Sequence, residues 1–104
     1  MPWLTLLVAG LLEIVWATAM KQSDGFTRFW PTAIMVLGMI SSFWLLALAM
    51  RELPLGTSYM VWTGIGALGS FVLGIVLFGE AVTPGRLGAA ALIVGGIAMM
   101  KLAS

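Results

Sequence analysis

The sequence predicts an all-α membrane protein with four transmembrane helices per chain, assembled as an antiparallel homodimer. Three observations point there. First, 62% of the 104 residues are hydrophobic and 9% are charged, against about 25% charged in an ordinary soluble domain. That leaves too little polar surface to coat a soluble fold, so the bilayer is the natural solvent. Second, the charged residues cut the chain into four apolar segments. Third, Lys and Arg are split almost evenly between the two sides of such a bundle.

The first segment runs from about Trp3 to Met20. A membrane span needs about 20 residues, within a range of about 17–25, so this one suffices. Ala17-Thr18-Ala19 resembles a signal-peptide cleavage site, but no Lys or Arg precedes the segment and Glu13 interrupts its apolar core. Both features argue for a retained span. Ser23-Asp24-Gly25 is a turn cluster, rich in residues that tolerate or cap tight turns. The second span covers about 29–50, and Arg51 to Gly56 breaks it from the third, about 55–78. Phe78-Gly79-Glu80-Ala81 forms the last break. The strictly apolar part of the fourth segment, Leu87 to Met100, is short. Thr83 as N-cap and Pro84 as first helical residue start that helix early. The fourth span is then about 84–100, with Arg86 snorkelling from its first turn. Residues 1–104 read as one transmembrane domain joined by short loops.

Arg51 and Lys101 fall on one side of the bundle; Lys21, Arg28 and Arg86 fall on the other. Two against three gives the positive-inside rule almost no purchase. Either a weak bias is tolerated, or the chain inserts both ways and opposite copies pair. Four short helices leave little interior for a cavity and its wall. Two copies make eight helices and bring two Glu13 residues to one site.

Several chemistries are excluded by composition. The chain has no Cys and no His, so disulfides, thiolate chemistry, His-based catalysis and zinc sites of the usual kind are absent. No basic stripe or phosphate-cradling loop suggests nucleic acid. No cofactor or metal is expected, and no enzymatic activity.

Glu13 is the one acidic residue inside a long apolar run. A charge at the bilayer centre costs roughly 2.5–3.5 kcal/mol on insertion scales, and such residues face a bundle interior or a wet cavity. On its helix face lie Ala9, Gly10, Trp16 and Ala17. The small residues allow close approach or leave room for a ligand. Trp16 supplies an aromatic wall and an N–H donor. Trp3 and Trp30 sit at segment ends and read as interfacial belt residues. On the second span, Gly38 and Ser42 form a small-xxx-small face. Ser42 either reaches Glu13 across the helix contact or, like Ser41, bonds back to a carbonyl one turn earlier. On the third span, Tyr59, Trp62 and Thr63 are set at i, i+3 and i+4, followed by Gly64, Gly66 and Gly69. Those glycines serve close packing, a bend that gates the site, or both. On the fourth, Gly88, Ala91 and Gly95 form an association face assigned to dimerisation.

The deep polar set is Glu13, Trp16, Ser42, Tyr59, Trp62 and Thr63. No base or nucleophile accompanies the carboxylate, so catalysis is not indicated. A carboxylate among aromatic faces is a cation site. Apolar surroundings also favour the uncharged carboxyl, so protons and a cation would compete for one seat. That competition is the coupling of an antiporter.

The whole chain resembles the small multidrug resistance family of bacterial proton-coupled exporters. The resemblance is carried by Glu13 within Leu12-Glu-Ile-Val-Trp-Ala-Thr-Ala-Met-Lys21, by Asp24-Gly-Phe-Thr-Arg28 and by Trp30-Pro31. It continues through Ser42-Phe-Trp-Leu-Leu46 and Tyr59-Met-Val-Trp-Thr-Gly-Ile-Gly66. The resemblance implies a multi-pass protein of the bacterial inner membrane, working as an antiparallel homodimer in which Glu13 is shared between protons and cationic substrate. Tyr59 and Trp62 would line the chamber, with Gly10 and Thr63 as auxiliary pocket residues. Gly64 and Gly66 would sit at the third-helix bend, and Gly88 and Gly95 at the dimer seam. Trp16, where the multidrug branch carries glycine, resembles the guanidinium-exporter branch, in which Trp16, Ser42 and Glu13 would form a hydrogen-bonded set. Glu80 departs from the family pattern. The implied function is proton-coupled export of guanidinium and small guanidinyl cations. The alternatives are a broad quaternary-ammonium exporter of the same family, a scaffold without transport, and a proton-conducting pore.

Overall fold

The computed structural model describes residues 1–103, and they form four helices: α1 (Pro2–Gln22), α2 (Phe29–Ala49), α3 (Leu55–Phe78) and α4 (Pro84–Leu102). All four are long and apolar enough to cross a membrane. Their ends are set by local chemistry. Pro2 opens α1 where its missing N–H is no loss. Ser23 closes it: its hydroxyl donates to the Met20 carbonyl at 2.7 Å and accepts from the Phe26 N–H at 3.1 Å. Asp24, Gly25 and Phe26 then take consecutive positive φ values of 50°, 69° and 69°, which turns the chain back into α2. Gly79, with φ 66°, ends α3, and the next N–H, from Glu80, donates to the Gly74 carbonyl at 3.1 Å. This is the left-handed cap that glycine allows. Thr83 Oγ1 accepts from the Arg86 N–H at 3.1 Å, so α4 begins at Pro84, a turn before its purely apolar stretch.

Beyond Thr83, Glu80 and Arg86 lock the α3–α4 connection. Their ion pair spans 3.3 Å, Arg86 also donates to the Ala81 carbonyl at 3.0 Å, and its guanidinium lies 5.6 Å from the centroid of Phe71. At the other end of α4, the Lys101 ammonium lies 5.2 Å from the ring centroid of Trp3.

The helices form a slab of 41 × 35 × 16 Å. α1 lies at its centre, packed most extensively on α2 and next on α3, while the backbone of α4 approaches α3 alone. The core is small: Leu6 and Ala9 from α1, Leu46 and Ala49 from α2, Val61 and Trp62 from α3. No residue of α4 is buried. Lipid tails are as apolar as Leu, so burial between helices supplies little drive here; close backbone approach and polar bonds hold such bundles. The close approaches are visible at glycine. Gly38 of α2 lies under Trp16 of α1, with room for a Cβ only 3.1 Å from Trp16 Cβ. Gly10 of α1 lies under Ile65, and Gly69 of α3 under Ile14. α3 runs as an unbroken helix through Gly64, Gly66 and Gly69.

Candidate functional site

Glu13 sits where α1 crosses α3, and its carboxyl group lies directly over Gly66. One carboxyl oxygen, Oε1, is shielded from solvent and has no hydrogen-bond partner among the described residues. One helical turn further along α1, the Trp16 indole N–H is likewise buried and unpartnered. An acceptor and a donor without partners thus share one helix face. Buried polar groups are almost always satisfied, so orphans of this kind require an explanation.

Ser42 is not bonded to either of them. Its hydroxyl donates to the Ala9 carbonyl of α1 at 2.7 Å and accepts the Trp62 indole N–H of α3 at 2.9 Å. A single buried hydroxyl therefore ties α1, α2 and α3 together. Neither sequence expectation for Ser42 describes this bond, because its acceptor is a backbone carbonyl that one-dimensional patterning does not reveal. Its neighbour Ser41 does bond back one turn, to the Leu37 carbonyl at 2.9 Å. In this structure no hydrogen bond joins Trp16, Ser42 and Glu13, the set implied by the resemblance; Ser42 bonds Trp62 and Ala9.

Around this bond runs a chain of rings. Tyr59 meets Trp62 at 5.6 Å, Trp62 meets Phe43 at 5.7 Å, and Phe43 meets Trp16 at 6.2 Å in an edge-on arrangement. Such offset and edge-on contacts are favourable geometries for aromatic pairs. Phe43 links the two tryptophans, yet it did not stand out in the sequence. One more aromatic in an apolar span carries no distinguishing signal.

The remaining candidates lie around this centre. Thr63 and Tyr59 line an apolar cleft of about 450 Å³ between α3 and α4, with Gly64, Leu92, Ile93 and Ile97. The cleft is separate from Glu13, which is not among its lining residues. Gly10 is buried against Ile65, so it provides a packing surface at the crossing. Gly64 and Gly66 face different helices: a Cβ at Gly64 would be 2.8 Å from Ile97 of α4, whereas at Gly66 it would fall on Glu13 of α1. Gly88 and Gly95 have nothing within 4 Å of a Cβ position.

Comparison with known proteins identifies the family. Residues 1–102 match the family model described as Small Multidrug Resistance protein. The chain is 54% identical over 104 residues to a guanidinium exporter of Escherichia coli (strain K12), covering 100% of this chain and 99% of that one. It is 52% identical, with the same coverage, to guanidinium exporters of Citrobacter freundii and Salmonella typhimurium. Four membrane-crossing helices and these bacterial relatives make it a multi-pass protein of the bacterial inner membrane. With its entire helical bundle matched and half of its residues shared with these exporters, the chain belongs to the small multidrug resistance family.

Proposed function

We propose that this protein exports guanidinium and small guanidinyl cations in exchange for protons, with Glu13 as the seat that either occupant takes in turn. The observation that carries the reading is the buried Glu13 Oε1 without a donor. A proton supplies one donor. Guanidinium supplies several in a plane, and a carboxylate accepts two of them side by side. Because one carboxylate serves both, loading one occupant releases the other. The names of the relatives support the substrate class.

Trp16 supports the preference for a small cation. Its Cβ stands on Gly38 and its ring meets Phe43, so the indole is held against α2, one turn from Glu13, and in this reading it narrows the chamber. Tyr59 and Trp62 extend the aromatic surface toward the α3–α4 cleft. Ser42 keeps Trp62 in place. Alternating access follows from bending of α3 at Gly64 and Gly66.

The working unit in this reading is an antiparallel homodimer. The open small-residue face of α4, with Gly88, Ala91 and Gly95 exposed, supports pairing through that helix. The near-even division of Lys and Arg supports insertion in both orientations.

The test is transport by purified protein in lipid vesicles under an imposed pH gradient, with guanidinium on one side. Protons moving down their gradient should drive guanidinium the opposite way, and Glu13→Gln should stop both fluxes. Guanidinium flux without proton movement refutes the exchange. Transport of tetraalkylammonium in place of guanidinium assigns the protein to the broad quaternary-ammonium exporters instead.

A further inference from the structure

α1 and α3 cross through three knob-and-glycine contacts. Ile65 stands on Gly10, Ile14 stands on Gly69, and between them Glu13 stands on Gly66. Two of the knobs are isoleucines, and their contacts are packing. The middle knob is the carboxyl group itself. A Cβ at Gly66 would collide with Glu13 Oε1 and Cδ and would approach Cγ to 2.8 Å. The volume that any other residue at position 66 needs is the volume the carboxyl occupies. Gly66 is buried, and the oxygen resting on it is sealed from solvent.

We propose that Gly66 is a positioning residue for Glu13: the missing side chain is a socket that seats the carboxyl group at the α1–α3 crossing and so sets where the cation and the proton are held. This goes beyond a bend in α3, and it rests on the reading of Glu13 as the shared seat. Gly64 does not have this role, since its open side faces Ile97 and Ile93 of α4. The distinction matters because both glycines would serve a hinge, but only one touches the carboxyl.

A glutamate side chain is flexible, so a methyl group at position 66 displaces the carboxyl by rotation more readily than it separates the helices. The consequence therefore falls on binding more than on folding. Few other groups can disguise the effect. α2 has no ionisable side chain, α3 has Tyr59 alone, and on α1 the next is Lys21 in its last turn; α4, with Arg86 and Lys101, does not approach α1 along its backbone.

The test compares Gly66→Ala, Glu13→Asp and the double variant in detergent-solubilised and vesicle-reconstituted full-length protein. Misplacing a reactive group by about 1 Å can cost about 100-fold, and Gly66→Ala should weaken guanidinium binding by about ten- to 100-fold on that scale. Aspartate withdraws the carboxyl by one methylene, so its carboxyl carbon falls near the place of the Glu13 Cγ, 2.8 Å from the new Cβ, and the overlap is smaller. In the Glu13→Asp background, Gly66→Ala should then weaken binding less than it does with Glu13 in place. In the same background, Gly64→Ala should keep its full effect. If Gly66→Ala binds guanidinium as the unaltered protein does, or is as harmful in the Glu13→Asp background as with Glu13 in place, the socket is refuted. If Gly66→Ala yields no folded protein, recovery of folding in the double variant supports the socket, and no recovery refutes it.

A second readout needs no cation. The carboxyl carbon of Glu13, followed by NMR against pH in isotope-labelled protein, should titrate at a different midpoint in Gly66→Ala. An unmoved midpoint overturns the proposal. This arm stands even if the unaltered protein carries no guanidinium, in which case the functional reading fails and the socket does not.

Discussion

Trp62 donates its indole N–H to the Ser42 hydroxyl at 2.9 Å, and Ser42 in turn donates to the Ala9 carbonyl at 2.7 Å. One side chain of α2 thereby joins α3 to α1 at the level of the buried core, within a bundle where α2 and α3 otherwise touch little. Ser42→Ala leaves both the Trp62 N–H and the Ala9 carbonyl without this partner. Interhelical hydrogen bonds in membranes average about 0.6 kcal/mol and reach about 1.7 kcal/mol, so with two bonds lost together a loss of about 1–2 kcal/mol is expected. Reversible unfolding in mixed detergent micelles measures it, and a change near zero would show that the bonds are replaced.

The proposed competition for one carboxylate fixes the sign of the expected pH dependence. In the proposed exchange, lowering the pH would fill Glu13 with protons and exclude the cation, so guanidinium affinity should rise with pH and level off once the carboxylate is fully ionised. Where one proton leaves per cation bound, the affinity changes by about tenfold per pH unit. Titration calorimetry at several pH values, in buffers of different ionisation enthalpy, gives both the slope and the number of protons released. A flat profile would contradict the exchange. Glu13→Asp should keep the rising profile with its plateau moved, while Glu13→Gln should lose the dependence altogether.

Removing the Trp16 ring should change selectivity. Trp16→Gly deletes an indole one turn from Glu13 on α1, a ring that meets Phe43 at 6.2 Å. Guanidinium transport should weaken, and bulkier cations such as tetraalkylammonium should gain. Side-by-side flux measurements with both cations check this. An unchanged ratio would reduce Trp16 to a filler of space. A glycine in a helix also costs about 1 kcal/mol relative to Ala, so the comparison belongs at a temperature where both proteins are folded.

Gly88 and Gly95 offer a clean test of pairing because, within one chain, nothing lies within 4 Å of a Cβ at either. Leucine at these positions meets open space at its Cβ inside the monomer. Gly88→Leu and Gly95→Leu should therefore leave the helical content intact while weakening the dimer. Energy transfer between labelled copies in vesicles reads the dimer fraction directly. Unchanged dimerisation would remove α4 from the seam.

Dual insertion predicts that a tag at the C-terminus is found on both faces of the membrane, in roughly equal amounts. Accessibility labelling of intact and broken cells checks it. A tag confined to one face would leave the almost even charge division without consequence.

Much of this protein is local, and what is local was legible. Hydropathy marked the four helices, Thr83 and Pro84 marked the early start of α4, and the break Phe78-Gly79-Glu80-Ala81 marked the end of α3. These follow from which side chain sits beside which backbone group a few residues away. The isolated carboxyl of Glu13 was legible too, since a charge in an apolar run needs no partner to be conspicuous. The partners themselves were decided by the tertiary structure. Ser41 and Ser42 are neighbours in sequence, yet one bonds its own helix at Leu37 and the other bonds Ala9 across the bundle. Gly64 and Gly66 are two residues apart, yet one faces Ile97 of α4 and the other lies under the Glu13 carboxyl of α1. A glycine or a serine is the same letter whichever helix it faces. Rotation of each helix about its axis, set by close packing between spans, chooses the neighbour, and that rotation is a property of the folded bundle.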